Sequence, residues 1–133
     1  MTFIVQRDER SAPFYDAAAD NTLLIRRCPT CGQYFAPQQH ACSDGSELEW
    51  VASSGTGTLV SWIVDHVPGT HPLLVGPDGR SAVAAMVVVR EGPWINVALV
   101  DVDPAALRAG DPMVARFIKL GDESEFVPVF TSA

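Results

Sequence analysis

The sequence predicts a mainly β protein: a five-stranded barrel of the oligonucleotide/oligosaccharide-binding (OB) kind, preceded by an N-terminal helix and a short cysteine-bearing unit. Three observations carry this reading. Valine-dense segments, the first with a two-residue hydrophobic period, run from Gly55 to Phe130. A short helical signal precedes the fourth of them. All three cysteines fall within one loop-rich stretch, residues 28–50.

The elements follow in order. Ser11 is placed to cap a helix, Pro13 sits near its first position, and Phe14-Tyr15-Asp16-Ala17-Ala18-Ala19 sustains it until Asp20-Asn21. Leu23-Leu24-Ile25 then suits a short strand. Residues 28–50 place Cys28, Cys31 and Cys42 among Pro29, Gly32, Pro37 and Gly45. A unit this small buries little core and usually needs a metal or a staple. Over 58–67 the alternation puts Val60, Trp62 and Val64 on one face and Leu59, Ser61, Ile63 and Asp65 on the other, until Pro68-Gly69 breaks it. Strands at 81–89 and 94–100 are joined through Arg90-Glu91-Gly92-Pro93. Asp103-Pro104 opens a helical turn, Ala105-Ala106-Leu107-Arg108, that Gly110 can end, and strands at 114–120 and 125–130 complete the set. That is the element count of a closed Greek-key barrel. An up-and-down sandwich has the same count, and periodicity does not choose between them. The divisions drawn are 1–27, helix and lead-in strand; 28–50, cysteine unit; and 51–133, OB-fold domain.

The chain has 133 residues, 47% of them hydrophobic and 19% charged, which is globular and apolar for its size. Some of that apolar surface is expected to meet a partner. No run approaches the roughly 20 apolar residues of a membrane span, and 82–89 is bounded by Arg80 and Arg90. Residues 1–10 carry Arg7, Asp8, Glu9 and Arg10 with no apolar segment behind them, so the expectation is a cytoplasmic protein that does not engage membranes. Three cysteines, an odd number, fit a metal site or free thiols better than a disulfide framework. The formal charge of -7, with Lys119 the only lysine, argues against nucleic acid as a partner.

Cys28-Pro29-Thr30-Cys31-Gly32 is half of a tetrahedral zinc site, a tight turn whose amides face two thiolates. Cys42 follows, but a complete ribbon would carry its fourth thiolate at position 45, which is glycine. Zinc also accepts carboxylate or imidazole, so Asp44 is the nearest substitute and His40 the second. The expected metal ligands are Cys28, Cys31, Cys42 and Asp44, with Zn2+ as the ion. The alternative is a ribbon that keeps its shape by packing alone. A catalytic zinc would need a general base and pocket that nothing marks, and Gly32 and Pro37 disfavour a thioredoxin-like helix after the C-x-x-C. His66 and His71 flank a turn and read as loop histidines. Ser53-Ser54-Gly55-Thr56-Gly57 leads into a strand and fails as a phosphate loop. No catalytic residue is assigned. Trp50, Trp62, Trp94 and Phe117 would serve as stacking platforms in a single-strand nucleic-acid binder, but without a basic groove they fit core or partner contacts better.

In order and spacing these residues resemble a family of small proteins in which a rubredoxin-like zinc ribbon precedes an OB-fold, known as a domain of unknown function and associated with acyl-CoA metabolism. The landmarks are Phe14-Tyr15, Leu24-Ile25-Arg26-Arg27-Cys28-Pro29-Thr30-Cys31-Gly32, Tyr34-Phe35-Ala36-Pro37, Cys42, Ser54-Gly55-Thr56-Gly57-Thr58-Leu59, Val100-Asp101-Val102-Asp103-Pro104, Ala109-Gly110-Asp111-Pro112-Met113-Val114 and Val127-Pro128-Val129-Phe130. Departures are Gly45 for the fourth cysteine, Gln38-Gln39 where Pro-Arg is common, and Ser81-Ala82 where Pro-Tyr is common. The resemblance implies a non-catalytic accessory subunit in a heterotetramer or similar heteromer, with acyl-CoA bound at or near the partner interface. The implied partners are thiolase-fold enzymes, foremost a lipid-transfer-protein-type retro-aldolase of steroid side-chain degradation, then acetoacetyl-CoA thiolase or an acyl-CoA hydratase. The docking surfaces expected are the N-terminal helix, residues 68–79 and the end near Phe130.

Overall fold

A computed structural model describes residues 7–65, 82–119, 121–122 and 124–133. His66, His71, the Pro68-Gly69 turn, the segment 68–79 and Ser81 lie outside them. Helix α1 spans Ala12–Ala19, with Ser11 at the N-cap position and Pro13 in the first turn. The Ser11 side chain turns backward instead of capping: its Oγ accepts from the Asp8 N–H at 2.9 Å while its own N–H donates to Asp8 Oδ1 at 2.8 Å. Asn21, at φ 58°, takes the left-handed conformation that ends the helix and reverses the chain.

The reversal feeds β1 (Leu24–Arg27), which pairs antiparallel with β2 (Tyr34–Phe35) on one side and β3 (Glu49–Ala52) on the other. This three-stranded sheet takes strands from both sides of the divisions drawn at 27/28 and 50/51. Beyond it, β4 (Thr56–Asp65), β5 (Ala82–Val89), β6 (Trp94–Leu99), β7 (Pro112–Lys119) and β8 (Phe126–Ser132) close into a barrel in the order β4-β5-β6-β8-β7. The β6–β8 contact is parallel, at Leu99 and Phe130, which decides for the Greek-key barrel over the up-and-down sandwich. The helical insert is a 3₁₀ turn, Pro104–Ala106, capped by Asp103, whose Oδ1 accepts from the Ala105 N–H at 3.1 Å.

Strict alternation in β4 fails at one point. A bulge between Leu59 and Ser61 inserts one residue, so Leu59 (1% exposed) faces inward together with Trp62 and Val64. Just before it, Gly57 lies flat against β5: a Cβ there would sit 2.7 Å from both Val87 Cγ1 and the Val88 carbonyl oxygen. Bulge and glycine together let β4 curve around the barrel.

The core holds Leu59, Val87, Val89, Leu99, Met113 and Phe130, and burying each such side chain is worth about 1.5–3 kcal/mol. Phe130 is 0% exposed, so it belongs to the core itself and only the residues after it, Ser132 and Ala133, are exposed at this end. Leu23 and Ile25 belong to the same cluster, and Phe14 of α1 packs against it, so ribbon, helix and barrel share one core. A polar contact reinforces the joint. Ser53 Oγ donates to Glu91 Oε1 and the Ser54 N–H to Glu91 Oε2, both at 2.7 Å, tying the β3–β4 link to the β5–β6 turn. Burial pushes the Glu91 carboxyl up, but donation from Ser54 and Ser53 outweighs it and holds the carboxyl below the ordinary glutamate range. No helix among the described residues is long and apolar enough to cross a membrane.

Gly57→Ala is expected to cost about 2–3 kcal/mol in urea unfolding, because the methyl meets β5 backbone that cannot step aside. Glu91→Gln is expected to cost about 1 kcal/mol near pH 7. Because the folded-state pKa is depressed, this contribution is complete above the ordinary glutamate range and lost as pH falls through the folded value. The gap between wild type and variant should narrow as pH falls from the ordinary glutamate range through the lower folded value; a gap that stays constant would refute the ionised Glu91 contact.

Candidate metal centre

Cys28 follows directly from β1 and is fully buried. Its N–H donates to the Gln33 carbonyl at 2.8 Å and its carbonyl accepts from the Gly32 N–H at 2.8 Å, while Gly32 at φ 77° completes the turn. The Cys31 N–H points at Cys28 Sγ from 3.5 Å. A second turn faces this one. There the Cys42 N–H donates to the Ser46 carbonyl at 2.9 Å, the Gly45 N–H to the Cys42 carbonyl at 3.0 Å, and the Ser46 N–H to Asp44 Oδ1 at 2.8 Å. Thr30 and Ser46 hydroxyls bridge the two turns at 3.0 Å. Leu48 and Phe35 pack behind Cys28 and Cys42.

The turns bring Cys28, Cys31, Cys42 and Asp44 together, one ligand atom from each lying within 4.8 Å of the others. Sulfurs 2.3 Å from a tetrahedral zinc stand about 3.8 Å apart, and a sulfur and a carboxylate oxygen about 3.6 Å. Cys31 Sγ and Cys42 Sγ are 3.7 Å apart, and Cys28 Sγ and Asp44 Oδ2 3.6 Å. These two separations match a tetrahedral zinc ion, and all four donors stand close enough to share one. Donation from the Cys31 N–H holds the Cys28 thiol below the usual thiol range, and the Ser46 N–H holds Asp44 below the usual carboxylate range. Both shifts favour the deprotonated forms that bind metal, whereas Cys31 moves the other way: its bond with the Gln33 backbone lowers it, but hydrogen bonding with Cys28 and burial outweigh this and hold its thiol above the usual range.

Position 45 has its own logic. Gly45 sits at φ 88°, a left-handed conformation that a cysteine adopts only under strain, and this turn presents the Asp44 carboxylate to the thiols. His40, the second candidate, is exposed and stands outside the four-donor group, beside Arg26 and Trp50.

Sequence reasoning missed the pair next to it. Arg26 and Trp50 are directly opposite across β1 and β3, and the guanidinium carbon lies 3.4 Å from the indole ring centroid. Arg26 is only 7% exposed. The signal was the strand pairing itself, invisible before register is known. Of the remaining aromatics, Trp62 and Phe117 pack on the core, whereas Trp94 is 58% exposed.

A ribbon offering three thiols and a carboxylate at zinc-binding separations, packed on a closed five-stranded barrel, defines the class of zinc-ribbon/OB-fold proteins. Within that class the chain belongs to the ChsH2 family. Residues 16–49 match the family model "ChsH2, rubredoxin-like zinc ribbon domain" and residues 50–117 match "ChsH2, C-terminal OB-fold domain". Over 131 residues it is 31% identical to a probable enoyl-CoA hydratase alpha subunit of Thermomonospora curvata, covering 97% of this chain and 39% of that protein. Thus the chain spans well under half the length of that relative. It is 29% identical over 102 residues to a DUF35 domain-containing scaffold protein of Methanothermobacter thermautotrophicus, 74% of each chain. Among solved structures, a chain of the Ltp2-ChsH2(DUF35) aldolase superposes with a TM-score of 0.80 at 29% identity, covering 96% of this chain and 98% of that one. A DUF35 protein of unknown function from Sulfolobus solfataricus, at TM-score 0.58 and 11% identity over 94% of this chain and 86% of that one, shares the fold.

The purified chain is expected to carry one zinc per molecule by elemental analysis. Changing an outer-shell partner of a zinc site costs about 10–100-fold in affinity, so Asp44→Ala, which removes a direct donor, should cost at least about 10-fold in chelator competition. Asp44→Cys should retain the ion, whereas Gly45→Cys should not tighten it. Tighter binding by Gly45→Cys would show that position 45, not 44, faces the metal.

Proposed function

We propose that the chain is the non-catalytic accessory subunit of an acyl-CoA-processing enzyme. In this reading Cys28, Cys31, Cys42 and Asp44 hold a structural Zn2+ that fixes the ribbon, while the partner supplies the catalytic residues. The partner is a thiolase-fold, lipid-transfer-protein-type retro-aldolase acting on a steroid side-chain acyl-CoA, with the acyl-CoA held at or near the interface. One observation carries the proposal: the near full-length likeness to a chain of the Ltp2-ChsH2(DUF35) aldolase, at a TM-score of 0.80. The names of the two curated relatives, a scaffold protein and a hydratase subunit, point the same way.

The outer face of β4, β5 and β6 supports a protein partner. Register sets Ile63 and Ala98 on either side of Ala84, and Ser61 and Asn96 on either side of Met86. These residues line a shallow groove of about 480 Å³ with no charged side chain among its described lining residues. Ile63 is 67% exposed, and apolar residues grouped in this way mark interaction surfaces. The 31% identity to a hydratase alpha subunit favours a hydratase as the second choice of partner.

Co-expression with a thiolase-fold aldolase and, separately, with an enoyl-CoA hydratase tests this by co-purification and light scattering. A stable heteromer with the aldolase is expected, with retro-aldol cleavage of a steroid acyl-CoA dependent on both chains. Ile63→Glu should weaken assembly by about 10-fold or more, since it buries an unpaired charge, without unfolding the exposed site. A heteromer formed only with the hydratase would replace the aldolase reading, and a partner fully active alone would remove the accessory role.

A further inference from the structure

Arg26 is more than nine-tenths buried, yet among the described residues it forms no ion pair. Its Nε donates to the Pro37 carbonyl at 3.2 Å, its face covers Trp50, and among the described residues it makes no other hydrogen bond and no ion pair. No buried side-chain nitrogen is left unsatisfied, so the terminal guanidinium nitrogens reach solvent. They do so in a cleft of about 300 Å³ between α1 and the ribbon. Arg10 and His40 line the same cleft, and Phe14 and Tyr15 form an apolar wall.

A buried guanidinium normally keeps a carboxylate beside it, because an unpaired charge away from water is costly. Here the second cation makes matters worse: burial and then the Arg10 charge lower the Arg26 pKa, against a smaller opposing effect of Glu47. Among the described residues no carboxylate forms an ion pair with Arg26. Asp8, which shares the cleft, accepts from the Ser11 N–H at 2.8 Å. Glu49 pairs with Arg27 at 3.4 Å, and Glu9 and Glu47 line an adjoining cleft on which Arg10, Arg26 and His40 also border.

We propose that this cleft binds the phosphate of an organic phosphate ester, with Arg26 as its floor and Arg10 and His40 at its mouth. Two guanidiniums and an imidazole supply N–H donors from separate elements, which suits an anion with three or more oxygens. The volume is about ten times the ~30 Å³ share of one water, leaving room for an organic group against Phe14 and Tyr15. The choice of ester rests on the acyl-CoA reading above: coenzyme A carries a 3′-phosphate and a pyrophosphate on its adenosine end.

The full-length chain is titrated with inorganic phosphate, pyrophosphate, adenosine 3′,5′-bisphosphate, coenzyme A and glutarate, following heat and Trp fluorescence. The bisphosphate and coenzyme A are expected to bind most tightly, with affinity falling as salt rises. Arg10→Ala, an exposed change that leaves the fold intact, should weaken both about 10-fold, and Arg26→Lys should do so at least as strongly. Binding unaffected by either variant, or glutarate competing as well as phosphate, overturns the proposal; the latter outcome assigns the cleft to a carboxylate. If the chain assembles with its aldolase yet binds none of the phosphates, the cleft proposal fails while the accessory reading stands. If the phosphates bind and no assembly forms, the reverse holds.

Discussion

The burial of Leu23 and Ile25 in the barrel core is the contact on which the ribbon depends. The ribbon's own apolar cluster consists of Cys28, Cys42 and Leu48 with Phe35 against them, too little to fold alone. Lending two side chains to the cluster of Leu59, Leu99 and Phe130 solves this. Because side chains alternate along a strand, pinning Ile25 on one face turns Arg26 to the other, where Trp50 lies opposite it across the sheet. It also fixes where Cys28 emerges. Metal turn and arginine cleft are thus positioned by the same short strand, from opposite sides of one packing decision.

The second turn shows how a ligand set changes without losing its geometry. A ribbon that takes its fourth donor from position 44 in place of 45 would exchange a soft thiolate for a hard carboxylate, with Gly45 absorbing the left-handed bend. The remaining backbone bonds to Cys42 and Ser46 still hold the turn closed. A harder donor set remains suited to zinc, which accepts sulfur and oxygen alike, but narrows the advantage over other divalent ions.

Much of this was legible in the residues. The helix, five barrel strands and all four clustered donors follow from local patterns: a proline near a helix start, valine runs, and a C-x-x-C followed by glycine. What escaped depends on contacts between distant segments. The β4 bulge reverses the face of Leu59 without any change in local composition, because curvature around the barrel demands it. Phe130, near the chain end, reads as exposed until β8 is seen to run parallel to β6. Likewise Arg26 and Trp50 stand 24 positions apart and meet only through the β1–β3 register, and strand pairing of that range is not written in either segment alone.

The barrel's seams differ in length. Strands β4, β5 and β6 form one sheet through long ladders, and β7 and β8 form a hairpin with seven paired positions. These two pieces join through three pairs between β4 and β7 and a single parallel pair between β6 and β8. Few backbone bonds hold the closure, so it rests on side chains crossing the interior, chiefly Phe130, Leu99 and Met113. Such a barrel is hinged like a clasp: the β7–β8 hairpin shares fewer ladder pairs with the other strands than β4, β5 and β6 share among themselves, so opening of the barrel should begin along it.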